Sequence, residues 1–224
     1  MSALSRFRLL QLASQALPIG GFSHSHGLES AIETRLVKDA ASAGTWILDL
    51  LRFSIVPFDV PLLEDLTRAW IQDDYERVRQ LNDEFLASRE SAELRAAAVQ
   101  MGYSLRVLCT ALPDFTQRWL GALVALDEPG LPCVWAALGT SWAIDLEDLI
   151  SAYVWAFIEN QMLAAVKSVP LGQSAGQKIL GELSARATAL LASPRIRAPR
   201  ANFAPGLAIL SARHETQYSR LFRS

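Results

Sequence analysis

His24 and His26 stand two residues apart in the segment LPIGGFSHSHGLE. Two imidazoles in one loop can face a single ion, and imidazole is a common nickel or zinc ligand. No third ligand lies nearby in the sequence, and His214 can join only through folding. A capping or hydrogen-bonding role is therefore favoured for the pair. Glu29, Glu90 and Glu159 are of the type that serves as general acid or base. No Ser-His-Asp order, HExxH or close carboxylate pair accompanies them, so an enzyme is not supported. The run from Gly172 to Lys178, GQSAGQK, invites comparison with a phosphate loop. Its glycines have three residues between them instead of four, Gln177 intervenes, and Ile179 follows the lysine. A tight interhelical turn is the better expectation for LGQSAGQ.

The C-terminal stretch carries a second kind of chemistry. Arg213, Arg220 and Arg223 flank Tyr218, Leu221 and Phe222. Arg, Tyr and Phe are the residue types that anchor protein interfaces. Residues 211–224 are therefore expected to form a docking tail. Residues 193–206, rich in proline and arginine, are the candidate linker that would let the tail leave the helical body.

These residues must be positioned by helices. The stretch 145–177 is the centre of the chain. Glu147 and Asp148 place negative charge in the first turn of a helix, where its dipole favours it. Leu146, Leu149, Ile150, Tyr153, Phe157, Asn160 and Ala164 follow at three- and four-residue steps. Val154, Trp155, Ile158, Met162 and Leu163 make the other faces apolar too, which predicts a helix packed on several sides. Glu159, Asn160 and Gln161 on it need partners, and Val169-Pro170 ends it. Further helices are predicted over 4–13, from near His26 with Ser23 or Ser25 as cap, and over 39–54. VPFDVP is expected to stop the last of these, and Asp59-Val60-Pro61 to start the next. A charged amphipathic helix is expected over 73–86. Ser88 is read as opening another, with Glu90 in its first turn and a seam through Leu94, Ala98, Met101, Leu105 and Leu108. Gly102 is expected to admit a neighbouring helix. Asp114 and Gln117 resemble a capping box for 115–126. Helices over 133–143 and 176–192 complete the set. Period-two alternation and hairpin signals are nearly absent. The expected fold is all-α, a single-domain bundle of about nine helices spanning 1–224.

Composition narrows the function. A net charge of −2 and a pI near 5.9 argue against a general nucleic-acid binder. Lysine occurs only at 38, 167 and 178, so the cations are mostly arginine, suited to paired recognition at protein interfaces. Cys109 and Cys133 are isolated in apolar surroundings, which fits reduced thiols in a cytosol. Gln11, Ser14 and Gln15 break the early apolar run that would otherwise suggest a signal peptide, and no uninterrupted apolar stretch is long enough to span a bilayer.

Four segments, LLQLASQALPIGGFSHSHGLE, ASRESAELR, AAVKSVPLGQSAGQ and SARHETQYSRLFRS, resemble motifs of the urease accessory protein UreF family. They fall in order along essentially the whole chain. The resemblance implies an all-helical, dimeric, cytoplasmic protein that is not an enzyme; beside it, no cofactor and no metal ligand is expected. It implies a scaffold that works with UreD (also called UreH) and the GTPase UreG to deliver nickel to apo-urease, recruiting the GTPase and regulating its nucleotide cycle. It also implies that the C-terminal region helps to dock UreD. Glu29, Arg89, Glu90, Lys167, Gln173 and Gln177 are expected to make the partner contacts or to shape them, with Arg213, His214, Glu215, Tyr218 and Arg220 in the docking tail. In this family an aromatic is usual where His24 stands, and a proline where Gln15-Ala16 precede Leu17. Two other classes stay open beside the scaffold. One is a metallochaperone holding nickel through His24, His26 and His214, and the other a helical enzyme of unassigned reaction.

Overall fold

The computed structural model describes residues 2–193 and 200–223. Among the described residues there are eleven α-helices and no strand. In chain order they are α1 (Ala3–Leu12), α2 (Leu28–Glu33), α3 (Ala40–Leu50), α4 (Val60–Ile71), α5 (Tyr75–Ala87), α6 (Ala92–Ala111), α7 (Gln117–Val124), α8 (Leu131–Ser141), α9 (Leu146–Ser168), α10 (Gln173–Ala192) and α11 (Pro205–His214). The all-α expectation holds. Several boundaries differ, each for a local reason. VPFDVP does not stop the chain's helical path: Leu51–Asp59 winds as a π-helix with Pro57 inside it and leads into α4. Proline brings no N–H to an α-helical ladder, and the chain takes the wider winding there instead of ending. Ser91, not Ser88, caps α6 by accepting from the Leu94 N–H at 3.1 Å, so Glu90 precedes that helix and Glu93 occupies its first turn. Asp114 makes no capping box; it pairs with Arg8, and α7 starts after Thr116. Gln173 already belongs to α10, so LGQSAGQ is mostly the start of a helix and not a turn.

The chain divides into two compact units. The first comprises residues up to Gly21 with Asp59–Arg89 and Arg95–Tyr153. Here α4 packs on α8 and α5, and Trp70, Trp135 and Trp142 are fully buried. The Trp70 indole N–H donates to the Cys133 carbonyl at 3.1 Å, so a large apolar ring is buried with its one polar group satisfied. Gly102 is a point of close approach, but the neighbour is the Pro129–Gly130 backbone before α8, not a helix; a Cβ there would collide with the Pro129 carbonyl. Asp59, buried, accepts from Arg89 Nη2 and from the Tyr153 hydroxyl, both at 3.0 Å. Burial first, then the Asp59 charge, pushes the Tyr153 phenol well above its usual range, which keeps it a neutral donor. Burial likewise pushes the Cys109 thiol up to about 12, and that of Cys133 upward too, so both are inert packing residues.

The second unit comprises Phe22–Phe58, Glu90–Leu94 and the chain from Val154 onward. In it α3 packs on α10 and α2 on α11, and Leu50, Leu94 and Leu207 form a core with Trp46, Phe157 and Ala204. The expected linker falls largely on 194–199, outside the described residues. After it the chain runs along the π-helical segment, with the Ala201 N–H donating to the Pro57 carbonyl and the Phe203 N–H to the Phe53 carbonyl. Helix α9 is 23 residues long, and its most apolar window has a mean hydropathy of 1.3, enough by length and composition to cross a membrane. Sixty-one per cent of that window is buried within the protein, as a central helix requires.

Candidate functional site

The second unit gathers parts of all four motif segments. The loop 22–27 lies against α9, whose polar groups satisfy its backbone. Asn160 Nδ2 donates to the His24 carbonyl and Gln161 Nε2 to the Ser25 carbonyl, each at 3.0 Å. A buried turn must find partners for its carbonyls, and two adjacent amides on an apolar helix supply them. The His26 ring meets Phe157 edge-on at 6.0 Å. His26 and Gly27 both take positive φ, 51° and 76°, and Gly27 begins α2. A Cβ at Gly27 would also press on Leu207 of α11, so the glycine serves both the turn and the approach of that helix. The Ser25 hydroxyl accepts from the Glu29 N–H at 3.3 Å, as a cap would, although Gly27 occupies the cap position.

Glu29 is the centre of a buried ionic cluster. Its carboxylate accepts from the Leu221 N–H at 2.6 Å and the Phe222 N–H at 2.9 Å, and lies 3.1 Å from His214 Nε2. His214 Nδ1 faces Glu93 Oε2 at 2.6 Å, and Arg220 donates to the other oxygen of Glu93 at 2.7 Å. His214 is 0 % and Glu29 8 % exposed. Beside the cluster the Ser91 and Ser211 hydroxyls meet at 2.5 Å, and the Arg223 N–H donates to the Ser23 carbonyl at 2.8 Å. The segment after α11 is thus fastened along its length, and Phe222 is 7 % exposed.

The predicted contact residues separate into two groups. Lys167, Gln173, Gln177, Arg213, Glu215, Tyr218 and Arg220 face solvent in the second unit. Lys167 Nζ stands 5.9 Å from the centroid of the exposed Phe22 ring, a cation–π arrangement at the last turn of α9. Glu90 is exposed as well and accepts from Asn202 at 2.9 Å. Glu29 and His214 are buried in the cluster and are not surface contacts, and Arg89, in the first unit, is engaged by Asp59. The expectation of a tail free to leave the body is corrected by the same cluster. Phe22 and Glu93 are site residues that sequence reasoning passed over. Both stood inside the quoted motifs, Phe22 as the one aromatic of its loop and Glu93 as an acid at a helix start.

His24 and His26 lie with ring centroids 6.4 Å apart, and among the described residues no group of three or more His, Cys, Asp or Glu is placed to hold a metal ion. His24 is 2 % exposed. Burial, and secondarily the Arg223 charge, lowers its pKa to about 4. A depressed imidazole contributes stability that is complete above its unfolded value near 6.5 and is lost as pH falls from there toward 4. The loss is at most about 3–4 kcal/mol at about 1.4 kcal/mol per pH unit. His24→Phe is therefore expected to flatten the acid side of the stability profile between pH 6.5 and 4.5. Urea titrations at several pH values check this, and parallel profiles for both proteins would remove His24 from the account.

The UreF family profile matches residues 37–184. The chain is 51 % identical to the urease accessory protein UreF of Azoarcus sp. (strain BH72) over 99 % of this chain and 96 % of that protein. It is 46 % identical to the UreF protein of Dechloromonas aromatica (strain RCB), covering 100 % of this chain and 99 % of the relative. The UreF protein of Pseudomonas aeruginosa (strain LESB58) is 42 % identical, with 96 % and 97 % covered.

Proposed function

The chain belongs to the UreF family, and from that premise we propose that it is a urease maturation factor, a non-catalytic scaffold in the cytoplasm. It recruits the GTPase UreG and regulates its nucleotide cycle, together with UreD/UreH, during nickel insertion into apo-urease, and it acts as a homodimer. The observation that carries this reading is the convergence of four distant motif segments in one unit. They leave Phe22, Lys167, Gln173, Gln177 and Tyr218 facing solvent, and Phe22 and Tyr218 are of the type that anchors interfaces. The burial of His24 and the Arg223 cation near it weigh against nickel held at the two loop histidines.

Co-purification with the urease operon products, with nucleotide present and absent, tests the scaffold. The chain alone should hydrolyse no GTP, whereas its mixture with the GTPase should show altered nucleotide binding or turnover. Hydrolysis by the single purified chain would sink the scaffold reading. Nickel calorimetry addresses the alternative, since a tight stoichiometric site abolished by His24→Ala with His26→Ala would make the chain a metallochaperone.

Lys167→Ala is expected to lower urease activation while leaving the melt nearly unchanged. An exposed lysine in the last turn contributes only about 0.3–1 kcal/mol through the helix dipole, and its approach to Phe22 is worth a similar about 0.5–1 kcal/mol. Melting and activation are measured on the same variant. A fall in activation only in proportion to lost folded protein would reduce Lys167 to a helix cap.

A further inference from the structure

Leu221 and Phe222 donate their backbone N–H groups to a carboxylate that comes from the other end of the sequence. Backbone donors carry no side-chain identity, so this contact fixes the path of the segment and leaves its side chains free. Those side chains divide sharply: Phe222 points inward, whereas Leu221 is 75 % exposed and Tyr218 is fully exposed. Arg220 lies between them, held by Glu93 and still partly exposed. The Gln217 side chain donates to the Ser219 carbonyl at 2.8 Å and closes the turn locally. The two ends of the turn are fastened by one carboxylate, at His214 before it and at Leu221 and Phe222 after it.

We propose that Glu29 is a positioning residue whose buried carboxylate holds residues 215–223 in a preformed turn, presenting Tyr218, Arg220 and Leu221 together to the docking partner. This rests on the reading that the tail docks the UreD-type partner. It differs from a tail that orders only on binding, because the ordering is done in advance by the chain's own carboxylate and the partner need not supply it. A carboxylate suits the task because it accepts at both oxygens, whereas the amide of Gln turns one of them into a donor facing donors.

The test uses the full chain with Glu29→Gln, measured by hydrogen exchange and by binding to the purified UreD/UreH protein. The Leu221 and Phe222 amides should be protected in the parent protein and exchange at least about 100-fold faster in the variant, with α9 amides unchanged. Partner affinity should fall at least about tenfold. If Glu29→Gln does not fold, leucic acid incorporated at position 221 replaces one amide with an ester. It deletes one donor to Glu29, keeps every side chain, and should weaken partner binding in the same direction. Tyr218→Ala should weaken binding without changing exchange at 221 and 222, which separates contact from positioning. Unprotected amides in the parent, protection unchanged by Glu29→Gln, or faster exchange with full partner affinity would each overturn the proposal. If the parent chain and partner do not bind at all, the docking reading fails, and the exchange result alone still decides whether Glu29 holds the turn.

Discussion

Deletion of residues 212–224 is expected to destabilise the chain severely, to the point of unfolding the second unit. The deletion removes His214 and Phe222 from the interior and strands Glu29 and Glu93, whose side chains are 10 % and 14 % exposed. A buried carboxylate left without its hydrogen-bond donors stays desolvated, at a cost of about 3 kcal/mol or more. Losing the buried Phe222 side chain adds about 1.5–3 kcal/mol. The sum is of the order of a domain's whole stability, about 5–15 kcal/mol. Circular dichroism melts and urea titrations of the truncated chain measure it. A truncated protein that melts within a degree or two of the parent would show that the tail is no part of the core. Any loss of partner binding by such a truncation is informative only beside that melt, which is why a single substitution at Tyr218 is the cleaner probe of docking.

Asp59→Ala should destabilise the first unit by about 3–5 kcal/mol, the cost of leaving a buried charge without its partner. Arg89, with a side chain 12 % exposed, would keep Ser88 and the face of Phe85 but lose its carboxylate, and the Tyr153 hydroxyl would lose its acceptor. Asp59→Asn retains an acceptor for the tyrosine and should cost less. The pair of variants also decides what Arg89 does. If Asp59→Ala leaves the melt unchanged, Arg89 is not held by that pair and remains a candidate partner contact. The predicted loss would make it a structural residue.

Helix class and helix content were legible in the chain because they rest on local repetition. The apolar steps from Leu146 to Ala164, the acids at Glu147 and Asp148, and the stop at Val169-Pro170 define α9 with almost the observed limits. Boundaries failed where a side chain had two competing uses. Asp114 has the type and spacing of a cap, yet Arg8, more than a hundred residues earlier, takes it. Pro57 reads as a breaker under α-helical rules, and the wider π winding escapes that rule.

The sequence by itself determined the all-α class, the central helix and the motif residues that mark the family. Each of these follows from near-neighbour spacing or from residue type. Only the tertiary structure decided which motif residues face solvent and which are interior. His214 and Tyr218 stand four residues apart in one motif, and one is completely buried while the other is fully exposed. Composition gives both the character of an interface. The difference is made by Glu29 and Glu93, carboxylates far away in sequence that place acceptors at both nitrogens of His214 and none at Tyr218. An ionic cluster assembled from α2, α6 and the C-terminal segment leaves no periodic trace in any one of them, because its energy comes from desolvated partners that only folding brings within 3 Å or so.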